Sequence, residues 1–274
     1  MMRRTRARIA RRHAAAATFA CLAIVVANEA HAADDLDEGG SAFEQRAGAT
    51  ARSAGVGALL FLAEAATVDL QQGLAIAFGG YDGAQGAAIF ESAAEVRILR
   101  AVALRGSAVY SPSRGGMRPS IGAKAQLLEA SRHGADGAVG LSYRPEGLTE
   151  AEGEIEGVIS LGRAFGASTF VGNLVYGQDP EGNERDGEVR LAWLRSIGER
   201  LLVGVDSRAR FDLGSAPAKL AAHNEATFDM NAGPVATVII GSVALVAQSG
   251  ASVRRFAGTT ASGIFAMAGV GAAF

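Results

Sequence analysis

The stretch Leu201-Leu202-Val203-Gly204-Val205-Asp206-Ser207-Arg208-Ala209-Arg210-Phe211-Asp212 decides the fold. Leu201, Val203, Val205, Ala209 and Phe211 fall on one side of an extended chain. Gly204, Asp206, Arg208, Arg210 and Asp212 fall on the other. Successive side chains of a strand point to opposite faces, so this is a strand with one apolar and one charged face. A helix would scatter the same charges around its circumference. The stretch is about twice the usual strand length of roughly 5–6 residues.

The same alternation recurs on either side. Val189, Leu191 and Trp193 oppose Glu188, Arg190 and Ala192. Ile155, Ile159 and Leu161 oppose Glu154, Glu156 and Ser160. Ile121, Ala123, Ala125 and Leu127 oppose Ser120, Gly122, Lys124 and Gln126. Tight links such as Arg163-Ala164-Phe165-Gly166 and Ile240-Gly241-Ser242 alternate with longer polar stretches at 111–119, 145–153, 178–187 and 214–226. Counting from Val68, the pattern gives twelve long antiparallel strands, or ten if the first hairpin is misread. An even strand count with short turns on one side and long loops on the other marks a transmembrane up-and-down barrel. The fold expected is therefore all-β, a membrane barrel over residues 67–274. A soluble β-sandwich that binds a ligand in the periplasm or outside the cell is the alternative, since alternation alone fits both.

Composition agrees. The 274 residues are 49% hydrophobic, too apolar for a disordered chain, and no apolar run of about 20 residues lies beyond the N-terminus. Arg3, Arg4, Arg6, Arg8, Arg11 and Arg12 precede an apolar stretch, Ala14 to Ala27, and the small-residue site Ala30-His31-Ala32. This three-part pattern predicts a cleaved secretory signal over residues 1–32. Six arginines and Glu29 would leave with it, so 20 basic face 27 acidic side chains, a net charge of −7. An acidic chain is a poor partner for nucleic acid. Cys21, the only cysteine, would leave as well, so neither disulfides nor thiolate metal sites are expected. Residues 33–66, acidic at first and then alanine-rich, read as a short helical or disordered periplasmic segment or plug.

The charged faces supply the candidate lining of the barrel interior: Asp69, Glu91, Glu95, Arg97, Arg105, Lys124, Glu154, Glu156, Glu188, Arg190, Asp206, Arg208, Arg210, Asp212, Asp229 and Arg254. Two roles are open for them, a polar pore lining or a salt-bridged filling that stabilises the barrel. The acidic loop from Asp179 to Glu188 lacks the spacing of an EF-hand, with Pro180 inside it and Glu184 where glycine is needed. No metal or cofactor is expected. His133 falls in a short turn and His223 in a long loop, neither beside a serine on a strand face, so no enzyme is expected.

At the C-terminus Ile264, Ala266, Ala268, Val270, Ala272 and Phe274 alternate, and the chain ends on Phe274. This resembles the terminal strand of Gram-negative outer-membrane β-barrel proteins. The resemblance implies residence in the outer membrane in contact with its lipid. It also implies that the barrel-assembly machinery reads Phe274 as its signal. The function expected is a small passive channel, or a structural or receptor-type barrel, with a charged lumen.

Overall fold

Twelve antiparallel strands make up the computed structural model, which describes residues 73–273 except 83, 85–86, 112–115, 146–152, 181–183, 215–225, 242 and 257. They are β1 (Gly73–Asp82), β2 (Ala87–Leu99), β3 (Val102–Ser111), β4 (Gly116–Leu128), β5 (Asp136–Pro145), β6 (Gly153–Phe165), β7 (Ser168–Gln178), β8 (Arg185–Ile197), β9 (Leu201–Asp212), β10 (Phe228–Ile240), β11 (Val243–Phe256) and β12 (Thr259–Ala273). Each strand pairs with its neighbours in sequence, and β1 pairs with β12, so the sheet closes into a barrel. The count is twelve, not ten. Closure leaves no strand edge unpaired, the condition for crossing hydrocarbon with strands.

The period-two pattern sets which face points where. Among the described residues 28 large hydrophobic side chains are exposed, with Leu141, Ile159, Leu174, Leu191 and Ile264 on the outside. A surface of that size would be costly in water and is the surface lipid requires. This separates the barrel from the soluble sandwich, whose apolar faces would be buried against each other. Aromatic side chains cluster on the same surface: Phe90 lies 6.3 Å from Tyr110 and Phe211 lies 5.3 Å from Phe228, ring centre to ring centre.

The links differ at the two ends of the barrel. Two residues join β2 to β3, β6 to β7, and β10 to β11 at the end where both β1 begins and β12 finishes. Gly166 and Gly241 turn two of these links with φ of 58° and 61°, a left-handed conformation that glycine adopts without steric cost. One link at this end is longer and holds a single helical turn, α1 (Ala130–His133), closed by Gly134. At the other end, 15 residues separate Asp212 from Phe228. The expected strict alternation of link lengths fails there for β11 and β12, which only Ala257 and Gly258 join. β4 and β8 also begin earlier than the sequence suggested, so Met117 to Pro119 and Arg185 to Gly187 are in the ladder and not in loops.

Inward glycines mark a close approach of two strands. A Cβ on Gly233 would run into the Ser249 carbonyl oxygen, and one on Gly250 into the Ala232 carbonyl oxygen. The backbones of β10 and β11 therefore approach too closely there for any side chain. Gly250 is paired in register with Phe265 of β12, which is only 1% exposed and lies inside the barrel. The expected signal peptide, the 33–66 segment, Asp69 and Phe274 all lie outside the described residues.

Candidate functional site: the barrel interior

The inward residues come in rows that run across the strands. One row is Val175, Glu188, Arg210, Asp229 and Arg254, each paired with the next on the adjacent strand. The row below is Ser160, Asn173, Arg190, Arg208, Asn231 and Ser252. Inward charges from neighbouring strands are thus brought within reach of one another. Such cross-strand pairs are the unit of interaction on a sheet face.

Toward the long-loop end the interior is a set of ion pairs whose arginines water mostly reaches, the Arg254–Asp229 pair being buried. Arg144 Nη2 donates to Glu154 Oε2 at 3.1 Å and also to Glu156. Ser142 Oγ donates to Glu156 Oε2 at 3.2 Å. Arg190 and Arg208 stand directly opposite each other on β8 and β9, an arrangement that repels unless an anion intervenes. Glu188 is that anion: one carboxylate oxygen accepts from Arg190 Nε, the other from Arg208 Nε at 2.7 Å. Arg210 pairs with Asp186. Arg254 Nη2 donates to Asp229 Oδ2 at 2.6 Å. The arginine side chains 144, 190, 208 and 210 keep between 23% and 48% of their surface exposed.

Toward the short-turn end most inward side chains are buried, Arg105 excepted at 27% exposed. Lys124 Nζ lies 2.9 Å from Glu95 Oε2, with Arg105 Nε at 3.5 Å from the same oxygen, and the lysine side chain is 1% exposed. Across the barrel, Leu194, Leu202, Val235, Ile239 and Val246 form an apolar cluster on β8 to β11. Thr237 and Gln248, paired in register with Leu202 and Val235, are buried beside this cluster, and Asn173, whose Nδ2 donates to Ser160 Oγ at 2.9 Å, is buried in the row of Arg190. Asp206 is buried at the level between the two zones.

The remaining candidates are placed as follows. Arg97 is half-buried on β2. Asp212 is half-buried and accepts from the Gly214 N–H at 3.2 Å. Glu91 lies on β2, with its side chain outside the description. Asp69 and Phe274 are beyond the described residues. The sequence reading missed Arg144 and Asp186, both members of the ion-pair set. Each continues the alternation of its strand by one step, Asp186 before Glu188 and Arg144 after Ser142. Placing the loop boundaries at 145 and 187 hid that of Asp186.

The closed twelve-strand ladder and its charged interior were compared with known proteins. No family model matches the chain, and no curated protein sequence matches it. Solved structures do. The NanC porin superposes with a TM-score of 0.54 at 9% identity, over 73% of this chain and 98% of that one. The fold is that of a Gram-negative outer-membrane β-barrel. Barrels of this fold point to the outer membrane as this chain's location. The KdgM porin (TM-score 0.47, 8% identity, 75% of this chain and 99% of that one) and LpxR from Salmonella typhimurium (0.48, 10%, 74% and 100%) also match. The last corrects one expectation. LpxR is a lipid A deacylase. The exclusion of enzymatic activity, drawn from where two histidines fall, is withdrawn: catalytic groups in a barrel need not sit where that argument looked for them.

Proposed function

We propose that this protein is exported by a cleaved signal over residues 1–32 and inserted with Phe274 as its assembly signal. In this reading it works as a structural or receptor-type barrel, with a water-filled outer vestibule and a closed inner half. The long-loop end, where the vestibule opens, faces outward, and the short-turn end faces the periplasm, as in barrels generally. The carrying observation is the gradient of burial along the interior. Arg144, Arg190, Arg208 and Arg210, toward the outer end, stay partly exposed, whereas Lys124 and Leu202, toward the inner end, are nearly inaccessible. Glu154, Glu156, Glu188, Arg190, Arg208 and Arg210 then line a compartment of mixed charge that receives small polar solutes. Glu95, Arg105 and Lys124 serve as filling.

A second reading, a narrow passive channel, is favoured by the likeness to the NanC porin. Current through single molecules in planar bilayers separates the two. The closed reading expects wild type to be silent, and Phe265→Ala combined with Leu202→Gly to conduct. Steady ohmic current through the wild type overturns it in favour of the channel.

A further inference from the structure

On the lipid-facing side of β6 to β8, at the short-turn rim, two guanidiniums flank a group of three aromatic rings. Phe165 and Phe170 meet edge to face at 6.0 Å, and Phe170 lies 6.5 Å from Trp193. Arg163 is paired in register with Phe170, and Arg195 with Ser168, so the cations alternate with the rings across three strands. Arg163 Cζ stands 4.7 Å above the centre of the Phe165 ring. Phe165 and Phe170 are about half exposed, at 52% and 51%.

Among the described residues neither Arg163 nor Arg195 has a carboxylate partner. Elsewhere on this rim arginines do: Arg100 and Arg132 share Glu129 at 3.8 and 3.7 Å. The next turn carries Glu199 and Arg200, one charge of each sign. An uncompensated pair of cations on a surface that also exposes Leu161 and Leu191 calls for a ligand with an anionic head and an apolar body. Each arginine is two residues from the end of its strand, which sets it at headgroup depth.

We infer that Arg163, Arg195 and the Phe165–Phe170–Trp193 rings form a binding site for an anionic phospholipid of the periplasmic leaflet. The phosphate is held by the guanidiniums and the acyl chains lie along the rings. Guanidinium matches phosphate geometry in two parallel hydrogen bonds. The inference rests on the membrane orientation proposed above.

Trp193 is the only tryptophan of the chain and sits in the site, so it reports on it. The folded full-length protein is reconstituted in phosphatidylcholine vesicles. A minor fraction of the lipid is then replaced by phosphatidylglycerol brominated on its acyl chains, or by equally brominated phosphatidylcholine. The site predicts stronger quenching by the anionic lipid, with local enrichment of roughly fivefold per guanidinium at low salt. The Arg163→Gln/Arg195→Gln variant, whose folding is checked by its heat-shifted gel mobility, should quench equally with both lipids. Arg100→Gln, at a paired position on the same rim, should keep the preference. Equal quenching by the two lipids in the wild type, or a preference that survives the double substitution, overturns the site. Absence of quenching by either lipid would mean that Trp193 does not face lipid, and overturns the membrane-barrel reading as well.

Discussion

Replacing Glu188 by alanine removes the anion between two arginines that the ladder holds face to face. Glu188 is 6% exposed and bonds both guanidiniums through Nε. A charge-assisted hydrogen bond contributes about 1.5–3 kcal/mol, and breaking a buried pair costs about 3–5 kcal/mol because a charge is left uncompensated. Arg190 and Arg208 keep 23% and 30% of their surface in contact with water, which discounts the larger figure. A loss of about 3 kcal/mol follows for Glu188→Ala. Reversible urea unfolding of the barrel in thin-bilayer vesicles, followed by Trp193 emission, measures it. The decisive comparison is Glu188→Ala/Arg190→Gln. With one of the opposed cations neutralised, the double variant should be more stable than Glu188→Ala alone by about 1 kcal/mol, the scale of a cross-strand pair term. A Glu188→Ala loss under about 0.5 kcal/mol, or a double variant less stable than the single one, would refute the bridging role.

Three further outcomes test other parts of the structure. Leu174→Arg, near the middle of β7 and 58% exposed on the outer face, should cost about 2–4 kcal/mol in the same unfolding assay, and a neutral result would mean that the outer face is not in hydrocarbon. A cysteine at 208 should react with a membrane-impermeant thiol reagent added to intact cells and one at 124 should not; equal labelling would contradict the dry inner half. Deleting Phe274 should lower the amount of folded barrel in outer-membrane fractions, and an unchanged amount would remove it as an assembly signal.

The alternation of Leu201 to Asp212 was enough to read a strand, its two faces and, by repetition, a barrel of twelve strands. Alternation is a property of each strand alone, so it carries that information locally. The pairing of charges is not local. That Glu188 stands between Arg190 and Arg208 depends on the offset between β8 and β9, and no residue of either strand encodes that offset by itself. Arg144 and Asp186 were overlooked for a related reason: loop-like neighbours, Pro145 and Gly187, masked strand residues at a ladder's end. Phe265 falls on the polar side of β12's alternation. The structure gives its reason, since the bare backbone of Gly250 in register beside it leaves room for a ring. Division of the interior into a wet and a dry half was also not legible, because Leu194, Leu202 and Val246 come from three strands and meet only when β8 to β11 pair.

Closure itself has a consequence for β1. Going once around the ring, the offsets of all the ladders must add up so that the last strand meets the first in step. β1 is irregular on both sides, with a shift between Ala77 and Gly79 against β12 and another between Ile76 and Gly80 against β2. An extra residue of this kind takes up one position without disturbing the pairing beyond it. The first strand thus behaves as an expansion joint. A one-residue insertion or deletion in β1 near Phe78 changes only how that joint is set, whereas the same change in β9 or β10, whose ladder runs unbroken from Leu201 to Phe211, turns half a strand inside out.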